Sequence, residues 1–359
     1  MSIATPRPAH LPGIQALRGL AAMMVVLTHI YSMELKYSPD QLLGAWSYYG
    51  GLGVDLFFVI SGFIMVHVTR DLQTGADASG LFLLRRVLRI YPLYWVVSFA
   101  VLAVYLYRPE MVFSGIDSAP DLVKSFTLWP DSRPPLLAIG WTLTFEMMFY
   151  LVFALSLLLP RRFLPIFLGL WAAVIITAQI PLRAGMFPPS PALGLLFSPM
   201  SLEFILGAAL GLYLLKADMT AAQSIRLIVI GALAGIFAAG ILSLNDEWVL
   251  DNFAVRAAVF AGPAALIVFG IAARDRAGRP VSKALQTLGD WSYAIYLTHI
   301  LTLAVIGALW KNFASPAIWD NLLMLPIFLT GSIAIGGAAY ILIERPLIGA
   351  LKAALPKRA

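Results

Sequence analysis

Six ionisable side chains lie within long apolar stretches of this chain of 359 residues, and they are the residues most able to do chemistry. They are His29, Asp55, Glu146, Glu203, Asp290 and His299. An ionisable group at the centre of a membrane helix costs about 2.5 to 3.5 kcal/mol on insertion scales, so such groups face the bundle interior and are candidates for function. Histidine titrates near neutral pH and is suited to general base catalysis. The set therefore predicts proton-transfer chemistry inside a helix bundle.

Arginine residues occur near these groups in two places along the chain. Arg18 and His29 are eleven residues apart, and eleven helical steps of about 100° return to nearly the same face, with the two side chains roughly 16 Å apart along the axis. Arg85, Arg86 and Arg89 form a second basic cluster. Guanidinium groups bind phosphates bidentately, although arginine at the inner end of a span can also serve only as a topological anchor. We expect a phosphate-binding mouth leading to a deeper base.

The elements that position these groups are membrane-spanning helices. Hydrophobic residues make up 60% of the chain and charged residues only 12%, against about a quarter in soluble proteins. Runs of about 20 apolar residues predict an all-α polytopic membrane protein with ten spans. These are 14–32, 46–68, 91–107, 138–159, 163–180, 194–215, 226–244, 253–273, 288–309 and 322–343.

The distribution of charge predicts the orientation of these spans. The N-terminal tail and alternate loops carry 17 Lys and Arg residues, counting Arg226 at the edge of its span, and the opposite loops carry 6. The positive-inside rule therefore places both termini in the cytoplasm. The net charge of +6 is explained by topology and does not indicate nucleic-acid binding. The longest stretches between spans are too short for a soluble domain, and we expect one membrane domain over residues 1–359.

Five segments resemble acyltransferase family 3, especially its exopolysaccharide-production branch. They are GIQALRGLAAMMVVLTHI, GGLGVDLFFVISGFIM, FLLRRVLRIYPLYW, GWTLTFEMMFYLVF and GDWSYAIYLTHILT, followed by IERP. The segments occur in order along nearly the whole chain. The resemblance implies a multi-pass enzyme of the bacterial inner (cytoplasmic) membrane, an O-acyltransferase that moves acetyl from cytoplasmic acetyl-CoA, or another acyl-CoA, to a hydroxyl of an envelope or exported saccharide, free or lipid-linked.

The resemblance also implies roles for individual residues. His29 is similar to the family's catalytic base, Arg18 to its partner on the same helix, and Glu146 to a further essential polar group. Arg85, Arg86 and Arg89 match the family's basic motif, and with Arg18 they would bind the donor. Acyl-CoA would be a substrate, with no permanently bound cofactor and no metal. Members often read Ser-Val-Glu-Glu where this chain has Thr144 to Met147, so a role for a second carboxylate is unsupported.

The chemistry requires a base that takes the proton of the attacking hydroxyl. We expect His29 to do this, with a carboxylate on its other ring nitrogen fixing the tautomer, Glu146 being the first candidate and Asp55 the second. Direct transfer is the simplest course because the chain has no Cys, but an acyl-His or acyl-Ser61 intermediate stays open. Asp55 could instead lock two helices together, as could Glu203 and Asp290, and His299 could act in the site or across helices.

Two other classes of function are compatible with buried charges. A secondary transporter or flippase of lipid-linked sugars would use them as a proton relay, but such proteins usually show internal repeats, and this chain has none evident. A non-catalytic assembly protein would leave the cost of burying the charges unexplained.

Overall fold

The computed structural model describes residues 11–112, 119–214, 219–243 and 252–354. These ranges contain helices and no strands. The longer helices are α1 (Pro12–Tyr37), α2 (Gly53–Thr69), α3 (Ala76–Tyr107), α6 (Gly140–Ser156), α7 (Leu164–Arg183), α9 (Ser201–Leu214), α10 (Ala221–Ser243), α11 (Phe253–Arg276), α12 (Lys283–Trp310) and α13 (Ile318–Ala339). Shorter ones are α4 (Pro109–Val112), α5 (Leu122–Thr127), α8 (Pro191–Leu196) and α14 (Arg345–Ala354). A π-helical turn, Tyr340–Glu344, joins α13 to α14.

The prediction of an all-α polytopic membrane protein is confirmed. Within the described residues, nine helical segments are long and apolar enough to cross a membrane. The remaining predicted span, 138–159, corresponds to α6, which has 17 residues and is about 25 Å long at 1.5 Å per residue. The predicted ends at 215 and 244, and both chain termini, lie outside the described residues.

The third membrane-spanning helix begins earlier in the chain than the sequence predicts. We expected it to start at residue 91, but α3 begins at Ala76 and continues for 32 residues. At about 48 Å, this helix is longer than the roughly 30 Å hydrocarbon core. Arg85, Arg86 and Arg89 therefore lie within the helix instead of ahead of it, which fixes their relative directions.

Helix α1, which carries Arg18 and His29, is held at both ends by carboxylates. At its start, Asp275 of α11 accepts hydrogen bonds from the backbone N–H groups of Gly13 and Ile14, at 2.6 and 2.9 Å. These are donors that a helix leaves unpaired at its N-terminus. Near its end, Glu34 accepts from the backbone of Leu42 and Leu43 and from the Asn321 amide, at 2.8 to 2.9 Å. The helix is therefore fixed along its axis.

The packing of α2 on α9 depends on two glycines. A Cβ added to Gly62 would come within 1.9 Å of the Phe204 carbonyl oxygen, and one added to Gly207 within 2.0 Å of the Val59 carbonyl oxygen. Small residues allow membrane helices to approach this closely. The approach brings Ser61 and its neighbours on α2 to a fixed distance from the rest of the bundle.

A buried ion pair joins α2 to α11. The Arg256 guanidinium donates to both carboxylate oxygens of Asp55 at 2.6 to 3.0 Å, and to the Gly51 carbonyl at 2.7 Å. Asp55 is fully buried and Arg256 is 5% exposed. This contact gives Asp55 the helix-locking position that was the alternative to a catalytic one.

We predict that the substitution Arg256→Met destabilises the protein by about 3 to 5 kcal/mol, because it leaves the Asp55 charge buried without a partner. The double variant Asp55→Leu with Arg256→Met should recover much of this loss. The measurement is thermal unfolding in detergent, with the exposed Arg226→Met as control. A single variant as stable as wild type, or a double variant no better than the single one, would contradict this account.

Candidate active site

A cleft lies among α1, α2, α3, α6 and α12 and reaches toward the end of the bundle where α1 and α3 begin. We call it the inner cleft. Its volume is about 850 Å³, counting the open space at its mouth. Its charged lining residues are Arg18, Arg86, Arg89 and Glu146. Aromatic side chains form much of the remaining wall, namely Phe57, Phe58, Tyr150, Tyr293 and Tyr296.

Two arginines of α3 face the inner cleft and one does not. Arg86 and Arg89 line it, whereas Arg85 is exposed and is not a lining residue. The Arg89 guanidinium donates to Glu344 Oε1 at 2.5 Å, and Glu344 is 1% exposed. The Arg86 guanidinium lies over the rings of Phe82 and Tyr150, at 5.6 and 5.7 Å from their centroids. Arg89 is thus neutralised within the protein, and Arg86 is held by aromatic faces.

Arg18 enters the inner cleft from α1. Its guanidinium donates to Gln15 Oε1 at 3.1 Å, and the Gln15 amide donates to Asp290 of α12 at 2.8 Å. Within the described part of the chain, no carboxylate oxygen lies within 4.0 Å of the guanidinium nitrogens of Arg18 or Arg86, so neither arginine forms an ion pair. Two guanidinium groups in one cleft therefore retain their capacity to bind an anion.

Glu146 lies on α6 within a small hydrogen-bonded group. Its Oε1 accepts from the Ser61 hydroxyl of α2 at 3.1 Å and from the Tyr150 hydroxyl one turn along α6. Its Oε2 has no hydrogen bond to any residue that the structure describes. The carboxylate is therefore fixed in direction while one oxygen is available on the wall of the inner cleft.

His29 lies apart from this group and is half-buried. Its Nδ1 is 2.9 Å from the Val25 carbonyl oxygen and 3.3 Å from His299 Nε2 on α12. Because a carbonyl oxygen only accepts hydrogen bonds, the neutral ring carries its proton on Nδ1 and leaves a lone pair on Nε2. Nε2 has no hydrogen-bond partner among the described residues, so it is free to accept a proton.

No carboxylate of the described residues makes the expected contact with His29. Glu146 bonds to Ser61 and Tyr150, and Asp55 bonds to Arg256. The ring of His29 is instead oriented by a backbone carbonyl and by His299. The similar depths of these groups along their helices did not bring them into one cluster.

His29 is joined to the inner cleft through two further side chains. The ring of His299 lies 5.8 Å from that of Tyr296, and the Tyr296 hydroxyl is 2.6 Å from Thr142 Oγ1. Tyr296 and Thr142 both line the cleft, and His29 does not. A histidine pair thus stands directly behind one wall of the cleft.

The remaining candidates have distinct positions. His299 is fully buried and makes the contact across helices described above. Asp290 bonds to Gln15. Glu203 is fully buried beside the Asp55–Arg256 pair and interacts with both of its members. No group of three or more His, Cys, Asp or Glu side chains in the described ranges could hold a metal ion.

Several residues of the site were not anticipated from the sequence. Tyr150 was missed although its position one turn after Glu146 is a signal for contact on a helix. Glu344 falls in the IERP segment, and the π-helical turn that places it near Arg89 has no sequence signature. Tyr293 and Tyr296 follow Asp290 on α12, where aromatic residues are common for packing reasons alone.

Comparisons with known proteins identify the family of the chain. The family described as the acyltransferase domain matches residues 11–341. The exopolysaccharide production protein ExoZ of Rhizobium meliloti is 33% identical over 313 residues, covering 83% of this chain and 90% of that protein. The acyltransferase MdmB of Streptomyces mycarofaciens is 30% identical over 331 residues, covering 83% and 80%. The O-acetyltransferase OatA of Staphylococcus aureus is 25% identical over 178 residues, covering 44% and 26%. No solved structure matches the chain.

The match extends over almost all of the helices that build the inner cleft, and relatives at 30% identity or more cover most of the chain. The chain therefore belongs to acyltransferase family 3 and is a multi-pass membrane acyltransferase that transfers groups other than aminoacyl groups.

Proposed function

We propose that this protein is a bacterial inner-membrane O-acetyltransferase that moves acetyl from cytoplasmic acetyl-CoA to a hydroxyl of an envelope or exported saccharide. The observation that carries the proposal is the inner cleft with two guanidinium groups that lack carboxylate partners. The names of ExoZ and OatA, an exopolysaccharide production protein and an O-acetyltransferase, support the saccharide and the acetyl group.

The charges of the cleft favour a phosphate-bearing donor. The Arg89 charge is balanced by Glu344, whereas those of Arg18 and Arg86 have no bonded counter-charge. Coenzyme A carries phosphate groups at one end and the thioester at the other. Arg18 and Arg86 would bind the phosphates bidentately, and the pantetheine arm would extend along the aromatic wall. Arg85, outside the cleft lining, is not needed for this contact.

His29 is proposed as the general base. The hydroxyl oxygen of the acceptor attacks the thioester carbonyl carbon while His29 Nε2 takes the hydroxyl proton. This attack forms the ester C–O bond. The tetrahedral intermediate then restores the C=O bond and breaks the C–S bond, and the imidazolium gives the proton to the departing thiolate. The Val25 carbonyl accepts from Nδ1–H throughout, and its dipole stabilises the imidazolium. The thioester end must reach past Thr142 and Tyr296 to meet Nε2.

Glu146 and Arg18 are proposed to act on the geometry and charge around the donor. The free Oε2 of Glu146 is a hydrogen-bond acceptor on the cleft wall. The negative charge of the carboxylate offsets the electrostatic repulsion between the two guanidinium groups. Asp55 is proposed to act only through the ion pair that fixes α2 against α11. Membership of the family favours transfer chemistry over the transport of lipid-linked sugars.

We predict that the substitution His29→Ala slows acetyl transfer by about 10²- to 10⁴-fold, the usual contribution of a positioned base, while leaving CoA binding near the wild-type value. The measurement combines transfer of labelled acetyl from acetyl-CoA with calorimetric titration of CoA. Retained CoA binding shows that the variant is folded. Transfer by the variant at the wild-type rate would eliminate His29 as the base.

We predict that Arg18→Ala and Arg86→Ala each weaken CoA binding by about tenfold or more, as expected for the loss of a charge-assisted contact, and reduce its dependence on salt. The measurement is titration of CoA at two ionic strengths. Arg162→Ala, an exposed arginine at the same end of the bundle, serves as the matched control. Wild-type affinity in both cleft variants would refute the phosphate contact.

A further inference from the structure

A second, larger cavity lies at the other end of the bundle. It is bounded by the segment 121–138, the segment 189–195, and the first turns of α6 and α11. Its volume is about 1210 Å³, and sites for drug-sized ligands occupy about 300 to 1,000 Å³. We call it the outer vestibule. From the charge distribution of the sequence, this end faces away from the cytoplasm.

One wall of the outer vestibule is aromatic. The rings of Trp141 and Phe253 are stacked, with centroids 5.7 Å apart and planes inclined by 16°. Phe145 packs edge-on against both, at 5.8 and 5.6 Å. Trp129, on the rim, is 62% exposed. This cluster offers flat apolar faces that are anchored by one another.

The two tryptophans also offer unused hydrogen-bond donors. The indole N–H groups of Trp129 and Trp141 have no partner among the described residues, whereas those of Trp95 and Trp310 donate at 2.9 and 2.8 Å. Trp129 is largely exposed and Trp141 is half-buried, so both N–H groups remain free to donate to a bound ligand. These donors therefore favour a ligand that carries oxygen acceptors.

The opposite wall is a network of four charges with no net charge. Lys124 and Arg133 each lie within 3.3 Å of Asp131, at 3.3 and 3.0 Å, and Arg133 lies 3.3 Å from Asp121. Desolvation acts to raise the pKa of Asp131, but hydrogen bonds from Arg133 and Lys124 outweigh it and lower the pKa to about 2. The Asp131 carboxylate is ionised and held in place, so it is a fixed acceptor for hydroxyl groups.

From these walls we infer that the outer vestibule binds a neutral saccharide of several units. Sugar rings present apolar C–H faces to aromatic side chains and hydroxyl groups to paired acids and bases. A phosphate or an anionic chain would meet no net positive charge here, and an acyl chain would meet charged groups on one wall. The large volume fits an oligosaccharide better than a single sugar.

The position of the vestibule connects it to the inner cleft through α6. Trp141, Thr144 and Phe145 line the vestibule, and Thr142 and Glu146 on the same helix line the inner cleft. A saccharide in the vestibule would therefore lie one helix away from the donor. The assignment of this saccharide as the acceptor rests on the proposed function, whereas its binding does not.

The test is calorimetric titration of the purified protein, without donor, using cellotetraose and maltotetraose as neutral probes, tetragalacturonate as an anionic probe, and vesicles of phosphatidylglycerol as a lipid probe. We expect a neutral oligosaccharide to bind in preference to the other two. Trp141→Leu and Asp131→Asn should each weaken that binding by about tenfold. Trp129→Leu, at an exposed position, should weaken it without affecting the fold.

Trp319→Leu is the matched control, because Trp319 is 76% exposed at the same end of the bundle and does not line the vestibule. Titration of CoA into each variant shows whether it is folded. The inference would be overturned if neither neutral probe binds, or if the anionic or lipid probe binds more tightly. Equal affinity in wild type and the three vestibule variants would also overturn it. If CoA binds and the saccharides do not, the vestibule inference fails and the donor proposal stands. If the saccharides bind and CoA does not, the donor proposal fails and the vestibule inference stands.

Discussion

A charged side chain inside an apolar helix bundle must either be paired or face water, and this constraint organises the whole structure. The Asp55 charge is paired with that of Arg256, and Glu344 holds Arg89. Asp275 satisfies backbone N–H groups at the start of α1, and Glu34 satisfies those of the segment that follows α1. Because each of these charges is paired within the protein, it is not available to bind a ligand.

The charges that remain without such partners define the site. Arg18 and Arg86 line the inner cleft with no carboxylate in ion-pair range, and Glu146 retains one oxygen without a hydrogen bond. They lie on helices that other contacts hold fixed, so the cleft is shaped before a ligand arrives. Helix α6 then has a special position, because its consecutive turns face two cavities at opposite ends of the bundle. This arrangement suits a reaction whose two substrates approach from the two sides of a membrane.

The sequence predicts that the helices exist, but it does not predict which helices pack against one another. Apolar length indicates a span because every backbone polar group must be satisfied within lipid. The start of α3 was missed because its charged first turns extend beyond the apolar core. The spacing of Arg18 and His29 placed them correctly on one helix. Depth along a helix, however, says nothing about which helix stands beside it, so His299 was not identified as the neighbour of His29, and Glu146 was wrongly expected there.

The pairing of Asp55 with Arg256 shows where more could have been read from the sequence. Arg256 is a basic residue within a predicted span, and an acid in another span is its natural partner. No comparable signal existed for Glu344, whose position depends on a single π-helical turn. The outer vestibule also could not be anticipated, because it forms between segments that are distant in sequence.

The central claim is that the donor binds at the inner cleft, on the membrane face where α1 and α3 begin. The most direct measurement uses proteoliposomes in which the protein has one orientation, with labelled acetyl-CoA on one side and a neutral oligosaccharide on the other. We expect acetylated saccharide when the donor is on the side of the Arg18 and Arg86 cleft and the saccharide is on the opposite side. Acetylation that occurs only when the donor is on the vestibule side, or only when both substrates share one side, would contradict it.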